Sequence, residues 1–169
     1  MIIFTPWMKC FIFDVQTSLS FIMTTESILI REGSIAEAVA LSMSIPEFKA
    51  PHQAEEYQKR LVGVAALILV AESAGKVAGF KVGYAKGEQV FYSWMGAVLP
   101  EFRQFGVAKA LAMRQEEWAR AQGFTCIQFK TRNRLKAMLQ FALGNGFDII
   151  GVEPRETLGE YRILLQKML

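Results

Sequence analysis

Histidine and cysteine are almost missing from this chain: one His and two Cys stand among 169 residues. Cys10 and Cys126 are far apart, neither belongs to a CxxC pair, and His52 has no second imidazole to join it. A Cys/His zinc site is therefore excluded. Reduced thiols, and with them a cytoplasmic setting, are the default. Excess charge is small as well. A formal +3 does not call for nucleic acid, whose partners cluster positive charge on one face, although it suits a small anionic ligand. Also absent is an uninterrupted apolar run of about 20 residues, the length of a membrane span. Residues 1–23 are apolar, but Pro6, Lys9, Asp14 and Gln16 interrupt them. They show no clear basic n-region or cleavage site, which argues against an export or membrane role. Residues 1–26 are read as an N-terminal extension, with Met23 as a candidate natural start. If the extension folds, its Phe, Ile and Trp side chains must cover the domain or a second copy, which leaves a homodimer open.

What is present is ordinary globular composition, 52% hydrophobic and 21% charged. The length suits one domain, placed at residues 27–169. A chain of this size buries roughly 70% of its unfolded surface and needs no disulfide or metal to hold together. A short strand at 27–31 precedes Ser34, which with Glu37 forms a capping box for a first helix ending before Pro46. A two-proline loop and a second helix near 53–61 follow. Runs at 67–72, 77–84 and 89–98, separated by short turns, predict an antiparallel meander, the second run as a half-buried strand. Then comes a long alanine-rich helix over 106–121, stopped by Gly123. Val107, Ala110, Leu111, Trp118 and Ala121 share one face of it, with Arg114 as an unexplained flaw. A strand at 125–130, a helix at 133–143, and strands at 147–152 and 161–167 complete the chain. The order β-α-α-β-β-β-α-β-α-β-β predicts an α/β fold: one mixed, twisted sheet with helices on both faces.

The informative stretch is 98–108, VLPEFRQFGVA. A strand ends at Val98, Pro100 breaks it, and a short loop opens into a helix at Gly106. Such a junction leaves the first helical N–H groups unpaired, with the positive end of the helix dipole behind them. It is an anion site for which a diphosphate is the expected guest. Gly106 lets the guest approach the main chain, Ala108 keeps the second turn small, and Arg103 and Lys109 add flexible positive charge. A plain helix start with a chance glycine is the competing reading. The rival phosphate motifs GxxxxGK[ST] and GxGxxG are absent.

Arg103-Gln104-Phe105-Gly106-Val107-Ala108 resembles the R/Q-x-x-G-x-G/A signature of the GNAT acetyltransferase superfamily, placed after the fourth strand at a helix start. The strand at 125–130, Asn133, and Gly146-Phe147 before the next strand agree, so the resemblance covers about residues 27–169. It implies acetyl-CoA as co-substrate, lying where the fourth and fifth strands splay apart. Backbone amides of Gln104 and of Gly106, Val107 and Ala108 would hold the pyrophosphate. The backbone at Ala97 and Val98 would hold the thioester carbonyl and pantetheine arm, and Asn133 would lie near the pantetheine or the fifth-strand exit. The resemblance further implies N-acetyl transfer to a primary amine, on a small molecule or peptide, by direct attack in a ternary complex. No metal is involved. The chain departs from the pattern at one place. Many members carry a tyrosine shortly before the Gly-Phe pair to protonate the departing thiolate, and here Phe141-Ala142 stand there. That departure keeps an alternative open: a CoA-binding regulatory or interaction module without turnover.

An acceptor amine must arrive neutral, so a base or water chain is expected. Glu47, His52, Tyr84 and Tyr92 are the candidates, each with a plainer reading as a solvated or packing residue. Glu47 and Tyr92 are preferred as catalytic residues. Trp94 shares a strand face with Tyr92. Glu47, Glu55 and Glu56 hint at a cationic acceptor, and four basic residues in 130–136 (KTRNRLK) suggest a solvated helix start, a contact to the CoA 3′-phosphate, or a nucleic-acid patch.

Overall fold

A computed structural model describes residues 27–169; the readings made for residues 1–26 fall outside the described residues. Seven strands form one sheet in the order β1-β2-β3-β4-β5-β7-β6. They are β1 (Leu29–Glu32), β2 (Ala66–Ser73), β3 (Lys76–Ala85), β4 (Val90–Val98), β5 (Cys126–Arg132), β6 (Asp148–Glu153) and β7 (Arg162–Met168). The helices are α1 (Ile35–Met43), α2 (Ala54–Leu61), α3 (Val107–Ala121) and α4 (Lys136–Gly144). The element order and the mixed sheet are those expected. β2, β3 and β4 form the antiparallel meander, β4 and β5 are parallel, and β7 lies antiparallel between β5 and β6.

Two apolar layers flank the sheet. On one face Leu67, Leu69, Phe91, Ile127, Phe129, Ile163 and Leu165 meet Val107, Leu111 and Ala119 of α3 and Ala142 of α4. On the other, Val70, Phe80 and Val82 meet Ala38 and Leu41 of α1 and Tyr57 of α2. Being covered on both faces, β3 is more than the half-buried strand expected: Gly79 and Gly83 are buried with Ala78, Phe80 and Val82. An added Cβ at Gly83 would stand 2.4 Å from the Phe91 ring, so glycine there makes room for an aromatic side chain that roots β4.

Local signals explain several boundaries. Ser34 and Glu37 make the capping box at the start of α1; the Ser34 amide donates to Glu37 Oε2 at 2.8 Å and the Glu37 amide to Ser34 Oγ at 3.2 Å. Two expectations are corrected. Arg114 does not interrupt the packed face of α3: that face runs through Val107, Leu111, Ala112, Gln115, Glu116 and Ala119, and Arg114 is exposed beside Glu117. The miss arose because Gln115 and Glu116 are buried polar residues, which a purely apolar pattern assigns to solvent. The other correction concerns α4, which begins at Lys136 rather than at Asn133. Asn133 is held in a turn, its amide donating to Tyr161 O at 2.8 Å and its Nδ2 to Leu158 O at 3.1 Å.

Candidate functional site

The sheet does not close between β4 and β5. Their pairing is confined to Val90↔Cys126, Phe91↔Ile127 and Tyr92↔Gln128. β4 continues to Val98 and β5 to Arg132, so a wedge opens with its apex just past Tyr92. The physical cause is a bulge: Gly83 pairs with Ser93 and Val82 with Met95, leaving Trp94 unmatched. A bulge bends and twists its strand, and here it carries β4 away from its neighbour. From Ser93 to Val98 one edge of β4 therefore lacks a strand partner, and Ala97 and Val98 lie at its open end.

The chain turns from Val98 through a 3₁₀ turn (Pro100–Phe102) into α3. Gln104 has φ 69° and Gly106 φ 84°, with Phe105 between them at negative φ. Alternation of this kind turns successive amides toward one point, forming an anion-binding concavity. Among the described residues no group accepts from the amides of Gln104, Phe105, Gly106, Val107, Ala108 or Lys109; the first intrahelical bond is Ala110 N–H to Gly106 O at 3.0 Å. An added Cβ at Gly106 would meet only Ile28 Cδ1, at 3.9 Å. It is the left-handed φ, not crowding, that favours glycine there. The Val107 side chain is buried and anchors the helix, while Ala108 and Lys109 are exposed. Six outward amides at a helix dipole's positive end, with the Lys109 ammonium one turn away, can hold a diphosphate. The positive φ at Gln104 is the one element of this seat that the spacing of residues does not announce, since a non-glycine residue rarely adopts it.

Arg103 is not a flexible cation. Its Nε donates to Val98 O at 3.1 Å, and Nη1 and Nη2 donate to Glu47 Oε1 and Oε2, both at 2.9 Å. The Arg103 guanidinium holds the Glu47 carboxyl below the usual carboxylate range, so Glu47 is a poor proton acceptor near neutral pH. The pair instead ties the loop after α1 to the wedge mouth.

On the α1/α2 side, the wedge meets an aromatic cluster. Trp94 contacts Tyr57 with ring centroids 4.8 Å apart, His52 at 5.3 Å and Tyr84 at 6.2 Å, and Tyr84 contacts Tyr92 at 5.7 Å. Arg60 lies over Trp94 at 4.8 Å and donates to Tyr84 Oη at 3.1 Å; Lys86 lies over Tyr92 at 5.5 Å. Burial, reinforced by Tyr84, pushes the Tyr92 phenol above its ordinary range, so Tyr92 stays protonated and serves as a hydrogen-bonding group. His52 is exposed at the edge of the cluster. Glu56 is occupied by Arg60, and Glu55 has no partner among the described residues. The basic run at the end of β5 and just beyond it is largely neutralised: Lys130 pairs with Glu153, Arg132 and Arg134 pair with Glu160, and Lys136 donates to Asn133 Oδ1 at 2.8 Å. Asn133 thus sits at the β5 exit with its side chain already engaged by the protein. Among the described residues no group of His, Cys, Asp or Glu gathers that could hold a metal ion.

A twisted mixed sheet, split between β4 and β5 beside a strand–loop–helix anion seat, is the frame of the site. The model of the acetyltransferase (GNAT) family matches residues 36–147, and the chain belongs to that family; it is an acetyltransferase. Solved structures agree on the fold. Ard1 from Thermoplasma volcanium is 19% identical with a TM-score of 0.71, over 84% of this chain and 97% of that one. The ribosomal-protein-S18-alanine N-acetyltransferase from Escherichia coli is 15% identical with a TM-score of 0.72, over 84% and 94%. A GNAT family acetyltransferase from Elizabethkingia anophelis with acetyl-CoA bound is 18% identical with a TM-score of 0.64, over 84% and 98%. No curated protein sequence matches the chain. Among the described residues no helix is long and apolar enough to cross a membrane.

Proposed function

We propose that the chain transfers the acetyl group of acetyl-CoA to a primary amine by direct attack in a ternary complex. The observation that carries this reading is the run of unpartnered amides from Gln104 to Lys109 at the mouth of the β4/β5 wedge. The residues fit the co-substrate. Amides of Gln104, Gly106, Val107 and Ala108 would take the pyrophosphate, with Lys109, unpaired among the described residues, as a cation beside them. The unpaired edge of β4, out to Ala97 and Val98, would take the pantetheine arm and offer a donor to the thioester carbonyl. A fixed donor at that oxygen stabilises the negative charge that grows there during attack. Arg103 and Asn133 support the site from behind, one bracing the mouth through Glu47 and the other pinning the β5 exit.

The acceptor approaches from the aromatic side, where Tyr92 orients the amine by hydrogen bonding. Glu47 contributes by fixing Arg103 rather than by taking a proton. Arg60, Lys86 and Arg162 bear on Tyr92, whereas Glu153, which also bears on it, and Glu47 and Glu56 are already paired. This balance disfavours a polycationic acceptor and suits a small molecule or peptide whose amine is its main positive charge. The domain comprises residues 27–169, and the reaction belongs to the cytoplasm, where the Cys126 thiol stays reduced.

Titration of acetyl-CoA against thermal unfolding, with thiol release measured in the presence of amines, tests the proposal. At ligand 100 times Kd, stability should rise by about 2.7 kcal/mol. A rise without amine-dependent thiol release would identify a CoA-binding module without turnover. No rise would remove the co-substrate reading.

A further inference from the structure

Lys81 is a half-buried lysine in the middle of β3, a strand covered on both faces. Its stem crosses β4 at Gly96: an ideal Cβ on Gly96 would lie 3.3 Å from Lys81 Cγ. A side chain at position 96 would therefore press on the lysine stem. Gly96 belongs to the stretch of β4 that has left β5, and the lysine runs toward the gap. It reaches a small cavity, about 10 Å³, lined with Lys81 by Ser93, Glu116, Phe129, Phe141 and Ala142 among others. Ser93 is the first residue of β4 past the last β4/β5 pair, so the cavity sits under the wedge apex.

The charged groups around it are few. From α3 comes Glu116, which is buried and already accepts from Lys167 of β7 at 2.7 Å, with Arg120 at 3.8 Å. β4 contributes only the Ser93 hydroxyl, and the cavity residues of β5 and α4 are apolar. The Lys81 ammonium has no hydrogen-bond partner among the described residues. Burial pushes its ammonium down to about 8, against a smaller opposing pull from Glu116. A half-buried ammonium with no protein partner beside a mostly apolar cavity costs stability, and nothing in the packing of the sheet requires it.

We propose that Lys81 is the proton donor to the departing thiolate. This inference rests on the acetyl-transfer reading. The acceptor nitrogen forms a bond to the thioester carbonyl carbon, the C–S bond breaks, and its electron pair goes to sulfur. A proton passes from Lys81 Nζ to that sulfur, leaving a neutral lysine amine. The acceptor nitrogen loses its extra proton to water, and solvent reprotonates Lys81, so one amide and one thiol result. Met138, Phe141 and Ala142, the α4 residues on the same cavity, have no proton to give.

The first readout needs no turnover. Bound CoA thiol is titrated by thiolate absorbance in the wild-type protein and in Lys81→Met. The wild-type protein should ionise the thiol at least about one pH unit below Lys81→Met, as expected of an adjacent ammonium. Equal titrations overturn the proposal. The second readout is turnover: Lys81→Met should lower kcat roughly 100-fold with KM for acetyl-CoA changed less than a few-fold. Lys81→Arg, which keeps the charge but cannot release a proton, should stay as slow as Lys81→Met. Wild-type turnover in Lys81→Arg, or a loss confined to KM, also overturns it. Failure of wild-type protein to bind CoA would instead bring down the co-substrate reading, whereas CoA binding with identical thiol titrations sinks the Lys81 assignment alone.

Discussion

The two sides of the wedge are built by different means. At the head of α3 the binding groups belong to the main chain, and six consecutive amides are left without partners among the described residues. On the aromatic side the groups are side chains, and its cations are already engaged: Arg60 with Glu56, Tyr84 and the Trp94 ring, Lys86 over the Tyr92 ring. A seat made of backbone depends on dihedral angles and tolerates most changes of side chain. A wall made of paired side chains can be respecified residue by residue. The difference explains why an anion seat is readable here while nothing comparable marks the acceptor.

Breaking the backbone side should have the largest effect. Gly106→Glu places a carboxylate where the amides converge, at a position of φ 84°; the acetyl-CoA shift in thermal unfolding should vanish along with turnover. A retained shift would mean that the amides are not the phosphate seat. Next comes the half-buried lysine between the two sides. Lys81 is lowered from 10.5 to about 8 in the folded protein. A depressed lysine destabilises the fold fully below pH 8, and the penalty fades as pH rises to 10.5. Lys81→Met should therefore be more stable than wild type by about 1–3 kcal/mol at pH 7, converging with it near pH 10.5, as denaturant midpoints across that range would show.

A smaller effect is expected on the side-chain wall. Tyr92→Phe should reduce kcat/KM for the amine by about tenfold, in the range of one lost hydrogen bond, without moving the acetyl-CoA shift. Loss of acetyl-CoA binding in this variant would erase the contrast between the two sides. Glu47→Gln is the mildest change. Both partners are about two-fifths exposed, so stability should fall by under about 1 kcal/mol. With a depressed carboxyl, that contribution is present above the ordinary glutamate range and lost as pH falls through the folded value. If Glu47 serves only to brace Arg103, the pH profile of kcat between 6 and 9 should be unchanged; loss of its acidic limb would restore Glu47 as the base.

Legibility followed the same division. Strands and helices with strong periodicity, the Ser34 cap and the Gly106 junction are local, and local pattern marks them. Three features depended on partners distant in sequence. Arg114 looked misplaced because Glu116 is buried through Lys167, 51 residues away. Asn133 looked like a helix start because nothing nearby reveals that Leu158 and Tyr161 hold it. Arg103 looked free because its partner Glu47 is 56 residues upstream. Lys81 stood in plain alternation with Phe80 and Val82. Only the passage over Gly96 and the cavity beyond it distinguish this lysine from an ordinary surface residue.

Three residue pairs join the four-stranded half of the sheet to the three-stranded half. An open border inside a sheet is a row of vacant rungs rather than an outer edge. Any guest with amide groups along its length can occupy those rungs and stitch the halves together, so the rigidity of the whole scaffold becomes a property of the loaded protein. Amide exchange at the far ends of β4 and β5, slow when loaded and fast when empty, would be the mark of a molecule that borrows part of its own framework from what it consumes.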